Sequence, residues 1–517
     1  MLKKKFSYHF LIFFTSLFIV SFFNHIFFSS LLEIFPFYKV ASTWAFMLFA
    51  LCLCFELLCF GRICKAILIC FVLYCSFVAY FIETLNIGIT PDIIQSFLNT
   101  HISEAKSFLT PSFIGYISFL GVLPSILIFF FPASYSRFVK ELILKLSLMV
   151  LYACLSFVLW SFVVGQDLIY LFTTQHKFQH ITLPISPIRS SIMLYTQKQK
   201  LSIPYQQVAL DATLANSSKK KILVLVIGES VRASELQDYS RNLLPQTKSH
   251  FNLVNFSNFS SCGVITAISV PCMLTPYTHS TYTNRYLSNF TDNILDITQR
   301  VGIKTYWLDS NSGDAQSCIG GVCKRIENVF YFDDLDEALF KKFDSLTHHL
   351  SVDSNYLFVL HTFGSHGPDY FRRYPKEFEI YTPVCKEKNP NLCTKEKLIN
   401  AYDNSILYTD FLLHSAILRL EELQKEFDVS LWYISDHGES LGELGNYMHG
   451  GLPYSLAPKN QTLVGALAWF GNNLGVQYQA FKSKQNSELS QDFIFHSILG
   501  FFKINTKVYD QSLDLGH

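Results

Sequence analysis

Apolar positions are distributed in two different ways along this chain. Up to about residue 164 they form long runs, near Phe6–Phe23, Val40–Phe60, Ala66–Ile82, Phe113–Phe131 and Ile143–Val164. Four of these approach or exceed the roughly 18 residues that span a bilayer and one is marginal, so five transmembrane helices are expected. Beyond Gly165 the runs shorten and charged residues reach ordinary density. "LPISPIRSSIMLY" (Leu183–Tyr195) mixes prolines with short apolar stretches, and "ANSSKKK" (Ala215–Lys221) turns polar. Residues 165–220 therefore read as a connector lying on the membrane surface.

"KILVLVIGES" opens the remainder, 221–517, with an aliphatic run that does not alternate. Such a run suits a strand buried on both faces of a parallel sheet. Similar strands are expected in Lys304–Asn311, Tyr356–Gly367 and Val429–Ser440, with helical periodicity between them, as in Asn400–Leu423. Strands alternating with helices predict a doubly wound α/β domain, in which ligands bind beyond the carboxyl ends of the strands.

Charge changes the picture in two respects. The net charge of the 517 residues is +1 and no basic stripe stands out, which argues against a nucleic-acid partner. Short loops are nevertheless asymmetric: Lys3, Lys4, Lys5, Arg62, Lys65, Arg137, Lys140 and Lys145 fall on one side of the expected spans, against Lys39 and Lys106 on the other. The positive-inside rule then places the amino terminus in the cytoplasm, and five spans export everything after Gly165. A cleavable signal peptide is the alternative for the first run, but no small-residue cleavage site follows it.

Of the 13 cysteines, Cys52, Cys54, Cys59, Cys64, Cys70, Cys75 and Cys154 lie in or beside the spans. The other six fall in the exported part as close pairs, Cys262/Cys272, Cys318/Cys323 and Cys385/Cys393. On the oxidising side of a membrane this pattern reads as three disulfides, and neighbour pairing is the simplest of the connectivities open to six cysteines. A zinc cluster is the rival, disfavoured by the lack of CxxC spacing.

Chemistry-bearing residues collect at the expected strand ends: Glu229, His366 and the adjacent Asp436 and His437, with His449 soon after. Carboxylate with imidazole suits zinc. "SCGVITAISVPCM" (Ser261–Met273) adds a threonine, Thr266, between two cysteines. A hydroxyl is a poor nucleophile at neutral pH, and a bound metal can activate it. Each residue alone has an ordinary alternative: a capped turn for Asp436–His437, a solvated loop for Thr266, turns for His366 and His449. Their joint occurrence at strand ends is what suggests a metal-dependent nucleophile.

"GES" at 228–230, "SCGVITAISVPCM", "GSHGP" at 364–368, "AYDNSILYTD" at 401–410 and "SDHGESLGELGNYMHG" at 435–450 together resemble the phosphoethanolamine transferases. These are inner-membrane enzymes with a periplasmic domain of alkaline-phosphatase/sulfatase fold. The resemblance covers nearly the whole chain and is strongest to the lipid A enzymes, including those that confer polymyxin (colistin) resistance, because both cysteines and the "SVPCM" ending are kept.

It implies that Thr266 is the nucleophile that carries phosphoethanolamine. Glu229, Asp436 and His437 match the other ligands of the catalytic zinc. His366 and His449 match histidines near the substrate phosphate that sometimes hold a second zinc. Thr100 and Glu104, in "IIQSFLNTHISEA", match polar positions of a segment that handles the lipid head group. The family also supports neighbour pairing of the cysteines. The implied donor is phosphatidylethanolamine, and the implied acceptor a phosphate of lipid A.

Departures from the pattern are Ser96 in place of asparagine, "GES" in place of "GET", and "CIGGVC" in place of "CKGVC", one residue longer and without its lysine, with Lys324 following. None touches a zinc ligand; they bear on head-group and acceptor recognition. Other readings are transfer to a core sugar (Kdo or heptose), phosphoglycerol transfer, or sulfatase or phosphatase activity on the same fold. The sulfatases' formylglycine motif is not evident. A catalytically dead membrane-anchored binding module is the non-enzymatic alternative, opposed by the intact set Glu229, Thr266, Asp436 and His437.

Overall fold

The computed structural model describes residues 6–99, 108–134, 138–174, 177–200, 203–237, 240–311, 318–387 and 390–517. The chain divides into two compact units, one formed by helices up to Met193 and the other running from Leu194 to His517, which also takes in the short stretch after Ile94.

The first unit is helical: α1 (Tyr8–Phe22), α2 (His25–Leu32), α3 (Phe37–Leu58), α4 (Ile63–Leu85), α5 (Pro111–Phe130) and α6 (Phe138–Ile169). Helices α3 to α6 are each long and apolar enough to cross a membrane, and α1 with α2 makes a fifth candidate span bent by 56°. Asn24 accounts for the bend. Its side-chain amide donates to Ile19 O at 3.2 Å while its carbonyl accepts from Leu183 N at 2.8 Å, so it competes for groups that a continuous helix would use internally. Helix α5 approaches α4 so closely at Gly121 that a Cβ there would lie 2.5 Å from Ser76 Oγ, and only glycine permits it.

Three ionisable groups inside this apolar bundle pair with one another. His9 of α1 places Nδ1 at 2.8 Å from Glu56 Oε1 of α3 and Nε2 at 3.1 Å from Glu141 Oε1 of α6. All three side chains are buried. One imidazole thus ties three helices together at one end, where an unpaired charge would be costly.

The second unit is built on a seven-stranded sheet: β1 (Lys221–Gly228), β2 (Leu253–Asn255), β3 (Lys304–Asp309), β4 (Asn328–Tyr331), β5 (Tyr356–His361), β6 (Asp428–Ser435) and β7 (Ala466–Phe470). Strand order is β2-β7-β6-β1-β5-β3-β4. The five strands from β6 to β4 run parallel, and β7 is antiparallel to both neighbours. Three helices bear on the site: α7 (Thr266–Leu274), α8 (Lys395–Leu423) and α9 (Asp492–Phe502).

The unbroken apolar run of β1 is explained by burial on both faces. Leu223, Leu225 and Ile227 join a core with Ile494, Phe495 and Ile498 of α9. Ile222, Val224 and Val226 join a second core with Leu398, Leu412 and Ile417 of α8. Register then aligns the carboxyl ends: Gly228 pairs with Ser435, Ile227 with His361, and His361 with Asp309. Residues that follow these strands emerge side by side.

His9→Ala removes the imidazole between two buried carboxylates and is expected to cost about 3–5 kcal/mol of helix packing. Thermal unfolding of the detergent-solubilised protein should begin at lower temperature, and an unchanged midpoint would contradict the clasp.

Candidate active site

Glu229 directly follows β1, and Asp436 and His437 directly follow β6. Asp436 N donates to Gly228 O at 2.9 Å, which continues the β1–β6 pairing to the first residue beyond the sheet. Ser230 then turns sharply, with φ +61°, and its hydroxyl donates to Glu229 Oε1 at 2.6 Å. Asp436 Oδ1 accepts from Ser230 N at 3.2 Å and from His437 N at 2.7 Å. Glu229, Asp436 and His437 are all fully buried.

Thr266 is the first residue of α7, after Ile265 as N-cap. The first amides of a helix have no partner within it, and the dipole there favours negative charge. The loop that delivers Thr266 is closed by a Cys262–Cys272 disulfide. Cys318 is bridged to Cys323 and Cys385 to Cys393.

Four donor groups meet. Thr266 Oγ lies 3.1 Å from Glu229 Oε2 and 3.3 Å from His437 Nε2. His437 Nε2 lies 3.4 Å from Glu229 Oε1 and 3.2 Å from Asp436 Oδ2. Ligands on a tetrahedral zinc at about 2.0 Å are about 3.3 Å apart, and these four distances lie close to that spacing. Asp436 Oδ2 is buried and takes no hydrogen bond. His437 Nδ1 lies 3.0 Å from Gly438 O, an acceptor, which puts the proton on Nδ1 and leaves the Nε2 lone pair facing the other three groups. These residues fit a zinc ion.

Electrostatics point the same way. Burial pushes Asp436 up to about 7, and the neighbouring Glu229 adds to the rise. Burial also opposes ionisation of Glu229, but His437, His366 and His449 overcome it and hold that carboxyl well below its usual range. Burial works against the His437 cation, yet Asp436 and Glu229 raise its pKa above the ordinary value. Two buried carboxylates side by side call for positive charge between them.

His366 and His449 complete the pocket. With Glu229 they can each present one ligand atom within 4.8 Å of the others, a second cluster that shares Glu229 with the first. The His437 and His449 ring centroids are 3.9 Å apart, and those of His366 and His449 5.8 Å. His366 Nδ1 lies 2.8 Å from Gly367 O, which fixes its tautomer as in His437.

The structure therefore brings Glu229, Thr266, His366, Asp436, His437 and His449 together. Thr100 and Glu104 lie outside the described residues. Two further side chains belong to the site. Glu439 Oε2 lies 3.2 Å from His449 Nδ1, and burial pushes its carboxyl up to about 8. Asn311, just past β3, donates to Glu229 Oε2 at 2.8 Å and to Thr362 O at 3.0 Å, holding the carboxylate in place. Glu439 sits two residues after His437 in a motif already singled out, and Asn311 closes an expected strand, but nothing local distinguished either.

Comparison with known proteins follows the two units. A family model described as Sulfatase matches residues 221–504, and one described as Phosphoethanolamine transferase EptA/EptB matches residues 47–199. Phosphoethanolamine transferase EptA of Escherichia coli (strain K12) is 32% identical over 467 residues, covering 86% of this chain and 84% of the relative. Phosphatidylethanolamine transferase Mcr-1 of Escherichia coli is 32% identical over 483 residues, with 87% and 85% covered. Among solved structures, the integral membrane lipooligosaccharide phosphoethanolamine transferase A from Neisseria meningitidis superposes with a TM-score of 0.91 at 29% identity over 99% of both chains. The periplasmic domain of EptC from Campylobacter jejuni is 40% identical, with a TM-score of 0.54 over 60% of this chain and 97% of that domain. With relatives above 30% identity along most of its length, the chain belongs to the phosphoethanolamine transferase family.

Proposed function

We propose that this protein transfers phosphoethanolamine from phosphatidylethanolamine to a phosphate of lipid A, through an intermediate carried on Thr266. The carrying observation is the Thr266 hydroxyl at a helix amino terminus, 3.1 Å from Glu229 and 3.3 Å from His437 in a set spaced for zinc. The names of the relatives support phosphatidylethanolamine as donor and lipid A as the accepting molecule: one is a phosphatidylethanolamine transferase, and another, 26% identical, is a Kdo(2)-lipid A phosphoethanolamine 7''-transferase.

Zinc held by Glu229, Thr266, Asp436 and His437 would supply Lewis acidity at the nucleophile and at the phosphoryl oxygens. The protein's own part begins with Thr266 Oγ, which attacks phosphorus as its proton is released to solvent. The bond from phosphorus to the diacylglycerol oxygen breaks, and that oxygen takes a proton from the side of His366 and His449. A lipid A phosphate oxygen then attacks the same phosphorus, the bond to Thr266 breaks, and protons from solvent restore the Thr266 hydroxyl and the histidine that protonated diacylglycerol. The free amides at the start of α7 favour the negative charge that gathers on the phosphoryl group in both steps.

The proposed setting is the inner membrane, with residues 1–164 as anchor, 165–220 at the membrane surface and 221–517 as catalytic domain in the periplasm. Exposed Ile185, Ile188, Ile192 and Tyr195, which recur at helical spacing in Ile185–Lys200, support the surface placement. The anchor suits two substrates that reside in the bilayer. Conjugation sets a cationic amine over an anionic phosphate, which weakens attraction for cationic peptides such as polymyxin.

Thr266→Ala is expected to lower transfer by at least about 10³-fold, the scale of removing a nucleophile, with the fold intact by circular dichroism. Thr266→Ser keeps the oxygen and should retain partial activity. Purified protein given phosphatidylethanolamine alone should carry one phosphoethanolamine on the peptide containing Thr266 by mass spectrometry; wild type without the adduct would exclude the two-step route. Asp436→Asn should weaken zinc binding by at least about 100-fold and suppress the adduct, checked by metal analysis of the same sample. Glu104→Ala, in the segment proposed to meet the donor's ammonium, is expected to slow lipid turnover at unchanged zinc content. Full activity of that variant would remove the segment from the substrate site.

A further inference from the structure

Gln491 lies at the start of α9, far in sequence from every residue of the site, and is fully buried. Its carbonyl oxygen Oε1 accepts from Cys262 N at 2.7 Å and from Ser269 Oγ at 2.6 Å. Its amide nitrogen Nε2 donates to Ser435 O at 2.8 Å and to Asp436 O at 2.8 Å. The orientation of the amide is not ambiguous. Cys262 N can only donate, and the two carbonyls can only accept, so Oε1 must face the first and Nε2 the others. Both amide hydrogens and two acceptor positions are in use.

The four partners lie on two parts of the site that must keep register. Cys262 begins the bridged loop, and Ser269 stands one helical turn beyond Thr266 in α7. Ser435 and Asp436 are the end of β6 and the first residue after it. The Cys262–Cys272 disulfide closes the loop on itself but does not attach it to the sheet. The Gln491 side chain makes that attachment. Its backbone adds to it, because Gln491 N donates to Ser260 O at 2.9 Å. The next residue helps as well: Asp492 Oδ1 accepts from His279 N at 2.7 Å, and the His279 ring donates from Nδ1 to Cys262 O at 2.7 Å. Ser269 Oγ also reaches Asp436 O, so its one proton is shared between two acceptors that Gln491 holds together.

We infer that Gln491 is a positioning residue for the reaction: it fixes the height of the Thr266 hydroxyl against Asp436 and His437 without touching substrate or metal. The inference rests on the transfer proposed above. A nucleophile misplaced by about 1 Å costs about 100-fold in rate, because the reacting atoms no longer meet in a near-attack geometry. Donor binding depends on other groups, so the loss falls on kcat rather than KM.

The test compares full-length wild type, Gln491→Met and Gln491→His in detergent, with phosphatidylethanolamine as donor and lipid A as acceptor. Methionine fills the space and makes none of the four bonds; a neutral imidazole supplies one acceptor and one donor. Gln491→Met should lower kcat by about 100-fold with KM for the donor within about twofold. Zinc content should stay near wild type, the melting temperature should fall by a few degrees as buried polar groups lose their partner, and hydrogen exchange at the Cys262 amide should accelerate. Gln491→His should recover to within about tenfold of wild-type kcat, since it restores half of the bonds. Unchanged kcat in Gln491→Met overturns the inference. A loss that tracks zinc or melting temperature and is not recovered by Gln491→His also overturns it, by making Gln491 a residue of the fold alone. Wild type inert toward both lipids would instead refute the proposed function, and the inference with it.

Discussion

Two carboxylates forced together out of water are the constraint around which the catalytic unit is arranged. Glu229 and Asp436 leave adjacent parallel strands at one level because Gly228 pairs with Ser435, and neither has any exposed surface. Burial pushes Asp436 up to about 7 beside the charge of Glu229, and only neighbouring positive charge makes such a pair tolerable. The orphaned Asp436 Oδ2 and the 3.1–3.4 Å spacing among the donor groups suit a divalent cation as its source. The sheet, the two cores that bury its faces, and the bridged loop with Thr266 all serve to hold those groups at that spacing.

Much of this was legible in the sequence, and the reason is physical. A strand buried on both faces has no polar positions to interrupt it, so Lys221–Gly228, Tyr356–His361 and Asp428–Ser435 announce themselves as aliphatic runs ending in Glu229, Thr362 and Asp436. The metal-type residues at those ends follow from where a parallel sheet presents its ligands. Leu253–Asn255 and Asn328–Tyr331 were not legible, being only three and four residues long. Ala466–Phe470 is framed by Gly465 and Gly471, and its alanines give little strand signal. In the helical unit the expected first span is matched by Tyr8–Phe22, but the short helix His25–Leu32 beyond the bend at Asn24 was not legible, because one side chain found backbone partners that no local pattern could reveal.

Asn311 and Gln491, which sequence reading passed over, share one property: their roles depend on partners far along the chain. Asn311 holds Glu229 across 82 positions, and Gln491 reaches Cys262 across 229. A lone amide side chain carries no periodicity and no charge, so only the assembled fold gives it a function. The His9–Glu56–Glu141 set is of the same kind, with separations of 47 and 132 residues. Each of its members reads alone as an isolated polar interruption near the end of an apolar run.

The central claim is that the chain moves phosphoethanolamine onto lipid A, and it is most directly tested on the product. Lipid A should be extracted from otherwise identical cells that carry or lack this protein and compared by mass spectrometry. The proposed chemistry predicts species heavier by one phosphoethanolamine only where the protein is present, absent again when Thr266 is replaced by alanine. Identical lipid A in all three strains, with the protein present in the membrane, would contradict it.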